Sequence, residues 1–195
     1  MSNQNSGEDS LPSELLDAAI GLWTQDDSIR WITVSGRSIM PVLREGDLLL
    51  IDNKHQSYEP GVILTVRHSG EIISHRVLAI HTQADGKVFY ITKGDNSPYL
   101  DPAFNQGEVI GQVMALRRGS REISFETSQW KRVNRNIAKA MSVYSRIYPH
   151  TKNNQEGSSR SFSLWLRIAC YHIMQGFYRL VVQIFLLLFG GWKRI

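Results

Sequence analysis

Ser38 stands in the run Ser35-Gly36-Arg37-Ser38-Ile39-Met40-Pro41, a hydroxyl on a Gly-containing turn just ahead of a strand. One imidazole, His75, follows on a later strand within Ile73-Ser74-His75-Arg76-Val77. A serine hydroxyl is a weak nucleophile at neutral pH and needs a neighbouring base to take its proton. Histidine, with an ordinary pKa of about 6.5, is the side chain best suited to that work. Each residue also has a plain structural use: Ser38 as a turn residue beside Pro41, and His75 as a core histidine sharing strand parity with Ile73, Val77 and Ala79. The chemistry depends on whether the fold brings the two together.

The elements that must do so form one ordinary domain with length left over, since the chain has 195 residues. A stretch of about ninety residues, from Ile29 to Leu116, is enough to fold without staples. Cys170 is the single cysteine, so no intrachain disulfide holds the fold. One thiol and six scattered histidines lack any zinc spacing, so neither a metal nor a cofactor is expected. Charge is divided unevenly. Residues 1–119 carry 10 Lys/Arg against 15 Asp/Glu, whereas residues 120–195 carry 12 against 3. A basic half suits an anionic surface. Because that half is also the most apolar, a membrane surface is favoured as partner over nucleic acid, which is not expected.

Residues 1–12 are polar and acidic, read as a disordered tail rather than a signal peptide, which would need a basic start and an apolar run. Leu15, Leu16, Ala19, Ile20 and Trp23 recur at helical spacing, giving a short amphipathic helix over 13–28. From residue 30 the period changes. Segments 30–34, 47–52, 61–67, 71–81, 88–93 and 109–117 are short, rich in β-branched residues and bounded by Gly, Pro, Asn or Asp. Ser69-Gly70 and Asp85-Gly86 read as hairpin turns, and 122–125 as a partner of the last strand. With no helices alternating between strands, a mainly antiparallel β domain over 29–126 is predicted, and a Rossmann or α/β-barrel fold is not expected.

A basic amphipathic helix is predicted from Trp130 to Tyr148, inside a segment bounded at 127–150, and a polar linker over 151–161. Segment 162–195 is then a C-terminal amphipathic or hydrophobic helix. Its closing run, 180–189, is apolar except for Gln183, and His172, Gln175, Arg179 and Gln183 share one narrow stripe. The uninterrupted apolar run is too short for a bilayer span, which needs roughly 20 residues, and burying Arg179 and His172 would be costly. The expectation is a helix lying in the membrane interface or re-entering it, with Arg snorkelling and Trp192 at headgroup depth, rather than one packed on the β domain.

These motifs resemble a known family. Ser35 to Pro41, with Leu43 and Gly46-Asp47, is similar to the nucleophile box of the signal peptidase I and LexA-type serine peptidase superfamily. His75-Arg76-Val77 and Thr92-Lys93-Gly94-Asp95-Asn96 resemble the archaeal and endoplasmic-reticulum branch of signal peptidase I, which uses a Ser-His pair, and Gly107 to Val113 resembles that branch's final core strand. The likeness spans Trp31 to Leu116 through four motifs in order. It implies Ser38 as nucleophile and His75 as general base. It implies Asp101, in Tyr99-Leu100-Asp101-Pro102, as the acid that orients the ring, with Asp95 the alternate. The Ser38 backbone N–H, the Ser35 hydroxyl and the turn at Gly36 are the candidates around the oxyanion. Ile39 stands where the family has methionine, and the family's anchor ahead of the serine is not seen.

The resemblance implies a membrane-associated serine endopeptidase that takes an extended leader segment of a peptide or preprotein and cuts after a small residue through an acyl-enzyme. Two rivals stand beside it. A LexA-type self-cleaving regulator would need a DNA-binding domain, an Ala-Gly or Cys-Gly bond upstream of Ser38 and a lysine base, where His75 stands instead. A non-catalytic membrane-binding module would keep the fold and use only its tail.

Overall fold

The computed structural model describes Gly21 and residues 29–54, 57–145, 162–189 and 193–194. The tail at 1–12 and the linker at 151–161 lie outside the described residues, and of the helix expected at 13–28 only Gly21 is described, as helical.

The β-branched, alternating segments form one sheet. Its strands are β1 (Arg30–Thr33), β2 (Leu48–Asp52), β3 (Ile63–His68), β4 (Glu71–Thr82), β5 (Val88–Lys93), β6 (Phe104–Asn105), β7 (Val109–Arg118), β8 (Arg121–Ser124) and β9 (Lys193–Arg194). The hydrogen-bonded order is β1-β2-β7-β3-β4-β5-β6, with β8 on β7 and β9 on β8. Every described pairing is antiparallel. The β3–β4 hairpin turns on Ser69 and Gly70, both at positive φ, which fits the right-handed twist of the flanking strands. The fold is thus the expected mainly antiparallel β domain. Strands β6 and β9 were not expected; each is two residues long and is set by its partner rather than by its own pattern.

Helix α1 (Ser128–Ser145) begins where the Thr127 hydroxyl accepts the Trp130 amide N–H at 3.3 Å, an N-cap that starts it two residues before the predicted Trp130. Trp130, Ile137, Ala138 and Met141 recur on one face and bury against Leu49, Ile63, Val113, Leu116 and Phe125 from the sheet. A second cluster of Tyr58, Leu64, Val66, Val77, Tyr90 and Phe104 fills the other side of the central strands. Gly61, at φ +106°, lets the β3 entry touch α1, since a Cβ there would lie 2.8 Å from the Arg135 backbone nitrogen.

Helix α2 (Phe162–Phe189) corrects one expectation. It packs on the β domain instead of lying apart from it. Val182 enters the main core, Tyr178 packs against that core, and Gln175 and Arg179 hydrogen-bond to the loop after β5. Helical periodicity showed the polar stripe but not its partners, which lie 80 or more residues away in sequence. The face turned outward is apolar: Ile173, Met174, Phe177, Leu180 and Ile184 are exposed. No described helix is long and apolar enough to cross a membrane.

Candidate active site

After β1 the chain enters a single helical turn, closed by the Leu43 amide donating to the Ile39 carbonyl at 3.1 Å. Ile39, Val42 and Leu43 are driven into the core by their apolar side chains, which leaves Ser38 at the rim of the turn, half-buried. Asp47 locks the far end. Buried to 2% exposure, it accepts the Arg44 amide at 2.7 Å and both arms of the Arg118 guanidinium at 2.8 and 2.6 Å. Such a bidentate pair fixes orientation as well as distance. The Gly-Asp pair of the sequence motif therefore holds the turn against β7.

Strand alternation sends His75 and Arg76 to opposite faces of β4. His75 Nδ1 lies 2.6 Å from Asp101 Oδ2. The same carboxylate oxygen accepts the Thr92 hydroxyl at 2.6 Å, and the Asp101 amide donates to the Thr92 carbonyl at 3.0 Å. A carboxylate only accepts, so Nδ1 carries a proton, and in the neutral ring Nε2 holds the lone pair. Gly94 places that nitrogen near the serine: a Cβ there would stand 3.0 Å from Ser38 Cβ and 3.2 Å from His75 Nε2. Serine and imidazole thus both border Gly94, where a side chain has no room.

Asp95, the alternate acid, goes elsewhere. It is fully buried and takes Arg76 through two bonds, Nε to Oδ1 at 2.8 Å and a terminal nitrogen to Oδ2 at 2.7 Å, while the Tyr178 hydroxyl donates to Oδ2 at 2.8 Å. Arg76 completes its set on the Gly61 carbonyl at 2.9 Å and Asn134 Oδ1 at 2.8 Å. Its guanidinium is raised above the ordinary arginine range by Asp95 and Tyr178, which outweigh the opposing effect of burial. The Tyr178 phenol is pushed well above its usual 10.0 by burial first and by Asp95 second. The network is structural, joining β4, α1, α2 and the loop.

Asn96 was not singled out from sequence beyond its place in the Thr92 to Asn96 motif, yet it touches the serine turn directly. Its amide donates to the Ser38 carbonyl at 2.7 Å and its side chain to the Arg37 carbonyl at 3.2 Å. Thr92 was likewise unassigned. Ser35 and Gly36 are exposed and line the same cleft as Ser38, a cavity of about 390 Å³ between the end of β1 and the start of β4, walled by Ile32, Val34, Ile73 and Leu49. Among the described residues no cluster of His, Cys, Asp and Glu could hold a metal.

A mainly antiparallel β domain that brings a serine turn and a histidine–carboxylate pair together around Gly94 has the architecture of a serine peptidase. The Peptidase S24-like family matches residues 2–114, and the chain belongs to that family. It is also similar to the signal peptidase complex catalytic subunit SEC11 of Yarrowia lipolytica, 33% identical over 93 residues, covering 42% of this chain and 54% of that protein. The SEC11 of Debaryomyces hansenii is 34% identical over 72 residues, covering 36% of this chain and 43% of the yeast protein. Human SEC11C is 29% identical over 96 residues, covering 45% and 50%. The chain spans about half the length of the curated relatives it matches.

Proposed function

We propose that this chain is a serine endopeptidase of the signal peptidase type, with Ser38 as nucleophile, His75 as general base and Asp101 as the acid that orients the ring. The observation that carries the reading is the 2.6 Å contact of His75 Nδ1 with Asp101, with Nε2 and Ser38 both bordering Gly94. In this mechanism Ser38 Oγ attacks the scissile carbonyl as Nε2 takes its proton. Asp101 supports the imidazolium without being protonated itself. The tetrahedral oxyanion is stabilised by donors that include the Ser38 backbone N–H, with the Ser35 hydroxyl beside Gly36 at the same rim. Collapse expels the amine, which receives the proton from Nε2 and leaves an acyl-Ser38 ester. Water, deprotonated by the same nitrogen, then releases the acid and restores the hydroxyl.

The substrate is an extended leader or signal segment. It lies as an added strand along the cleft between β1 and the start of β4. The apolar walls and the cleft's modest volume support small side chains ahead of the cut. Purified protein should cleave a leader peptide bearing small residues at the first and third positions before the bond, and a fluorophosphonate should label Ser38. Ser38→Ala and His75→Ala should each remove cleavage. Equal cleavage by wild type and Ser38→Ala would end the proposal.

The place of action follows from α2. Ile173, Met174, Phe177, Leu180 and Ile184 make an outward apolar surface on a helix from the basic half of the chain. That composition fits a helix resting in a membrane interface. Co-flotation with anionic vesicles should fall when Phe177 and Leu180 are both changed to Ser, and unchanged flotation would remove this part of the reading.

A further inference from the structure

We propose that α2 is a strap holding the nucleophile turn in place, with Arg179 and Tyr178 as positioning residues for the proposed peptidase reaction. The inference rests on the reading of Ser38 as nucleophile. The helix meets the β domain through Gln175, Tyr178, Arg179 and Val182, spaced i, i+3, i+4 and i+7 on one face. An ordinary surface helix turns its apolar face inward. Here Ile173 and Phe177 stand outward at 72% and 69% exposure, while half-buried Gln175 and Tyr178 turn in and exposed Arg179 reaches the loop at their edge. Hydrogen bonds to two particular residues, Asp95 and Asn96, therefore specify how α2 docks, with Val182 as the apolar anchor.

Those two residues lead straight to the chemistry. The Arg179 guanidinium donates to Asn96 Oδ1, and the Asn96 amide in turn donates to the carbonyl of Ser38 itself at 2.7 Å. Gln175 Nε2 donates to the Asp95 carbonyl at 2.7 Å, and the Tyr178 hydroxyl holds the Asp95 side chain at 2.8 Å. Between Asp95 and β5 lies Gly94, against which Ser38 and His75 both pack. Loop 94–97 is thus gripped from one side by α2 and grips the serine turn from the other. Hydrogen bonds that carry a charge, as Arg179 to Asn96 does, are the stronger kind. A shift of about 1 Å in a reacting group can cost about a hundredfold in rate.

The test uses the full chain and the variants Tyr178→Phe, Arg179→Ala and Asn96→Ala, with Gln183→Ala, an exposed position one turn past Arg179 on the same stripe, as control. Arg179→Ala should lower kcat on a small-residue leader peptide, and the rate of fluorophosphonate labelling, by tenfold or more with KM unchanged. Tyr178→Phe, which keeps the ring and its packing, should lower both less, and Gln183→Ala should change neither. In the Asn96→Ala background the further loss from Arg179→Ala should shrink towards none, because the two act in series. Hydrogen exchange gives a readout independent of turnover: amides of 94–97 and 37–40 should exchange faster in Arg179→Ala than in wild type. Wild-type protein that neither cleaves nor labels would defeat the peptidase reading, leaving the exchange comparison to judge the strap. Active wild type with kcat, labelling and exchange all unmoved by Arg179→Ala would overturn the strap alone.

Discussion

Replacing Lys93 by methionine should remove a rise in stability expected of the wild-type protein on going from neutral to alkaline pH. Lys93 lies on β5 opposite Arg76 and is 1% exposed. Burial pushes its ammonium down from 10.5 to about 8, against the opposing pull of Asp95 and Asp101. Between those two values the unfolded chain holds a proton that the folded chain has released, so stability must increase with pH across that window. The cost of carrying the charge inside is fully present below the folded pKa and fades as pH climbs towards the unfolded one. The gap between 10.5 and about 8 corresponds to about 3 kcal/mol. About 2 kcal/mol of that returns between about pH 8 and pH 10. Tyr58, raised to about 12 chiefly by burial, and Tyr90 and Tyr178, raised for the same first reason, act in the opposite direction. They do so only where unfolded tyrosines ionise, near about pH 10 and above. Urea unfolding at steps from about pH 7 to about pH 10, for wild type and Lys93→Met, isolates the contribution as the difference between the two curves. The wild type should gain on the variant by about 2 kcal/mol as pH rises. Curves that stay parallel would refute the idea that burial governs this lysine.

Asp101→Asn should keep the fold, since Thr92 can still donate to the side-chain oxygen, while kcat falls by about 10³-fold or more because the wrong imidazole tautomer is held; activity within tenfold of wild type would refute it. Gly94→Ala places a methyl 2.8 Å from the Ser38 carbonyl and 3.2 Å from His75 Nε2. It should abolish fluorophosphonate labelling while leaving the far-ultraviolet circular dichroism unchanged, and retained labelling would contradict the geometry. Asp95→Asn leaves the Arg76 guanidinium buried without its counter-charge and should cost about 3–5 kcal/mol in urea unfolding; a loss below about 1 kcal/mol would count against the network.

The strands were legible because their alternation is a local property. His75 and Arg76, neighbours sent to opposite faces, follow from period two alone. The short strand at Phe104 and Asn105 was not legible. It pairs with Phe89 and Tyr90 across a Pro-containing loop and carries too few residues for a pattern. At the site, Ser38, His75 and Asp101 were read from motif order, and geometry then separated Asp101 from Asp95 by giving the latter to Arg76. Thr92 and Asn96 were in view as letters of a motif, but their work depends on the main chain of residues far away in the fold. Gln175 and Arg179 posed the same problem more sharply. A polar stripe on an apolar helix is compatible with lipid headgroups or with a protein partner, and only the long-range contacts to Asp95 and Asn96 distinguish the two.

One arrangement bears on when the protein first becomes competent. Residues 38, 75 and 101 all leave the ribosome well before Tyr178 and Arg179, yet the loop beside the serine receives three of its bonds from that late helix. On the strap reading, a nascent chain that has already made its serine, ring and acid still lacks the helix that would hold the serine turn.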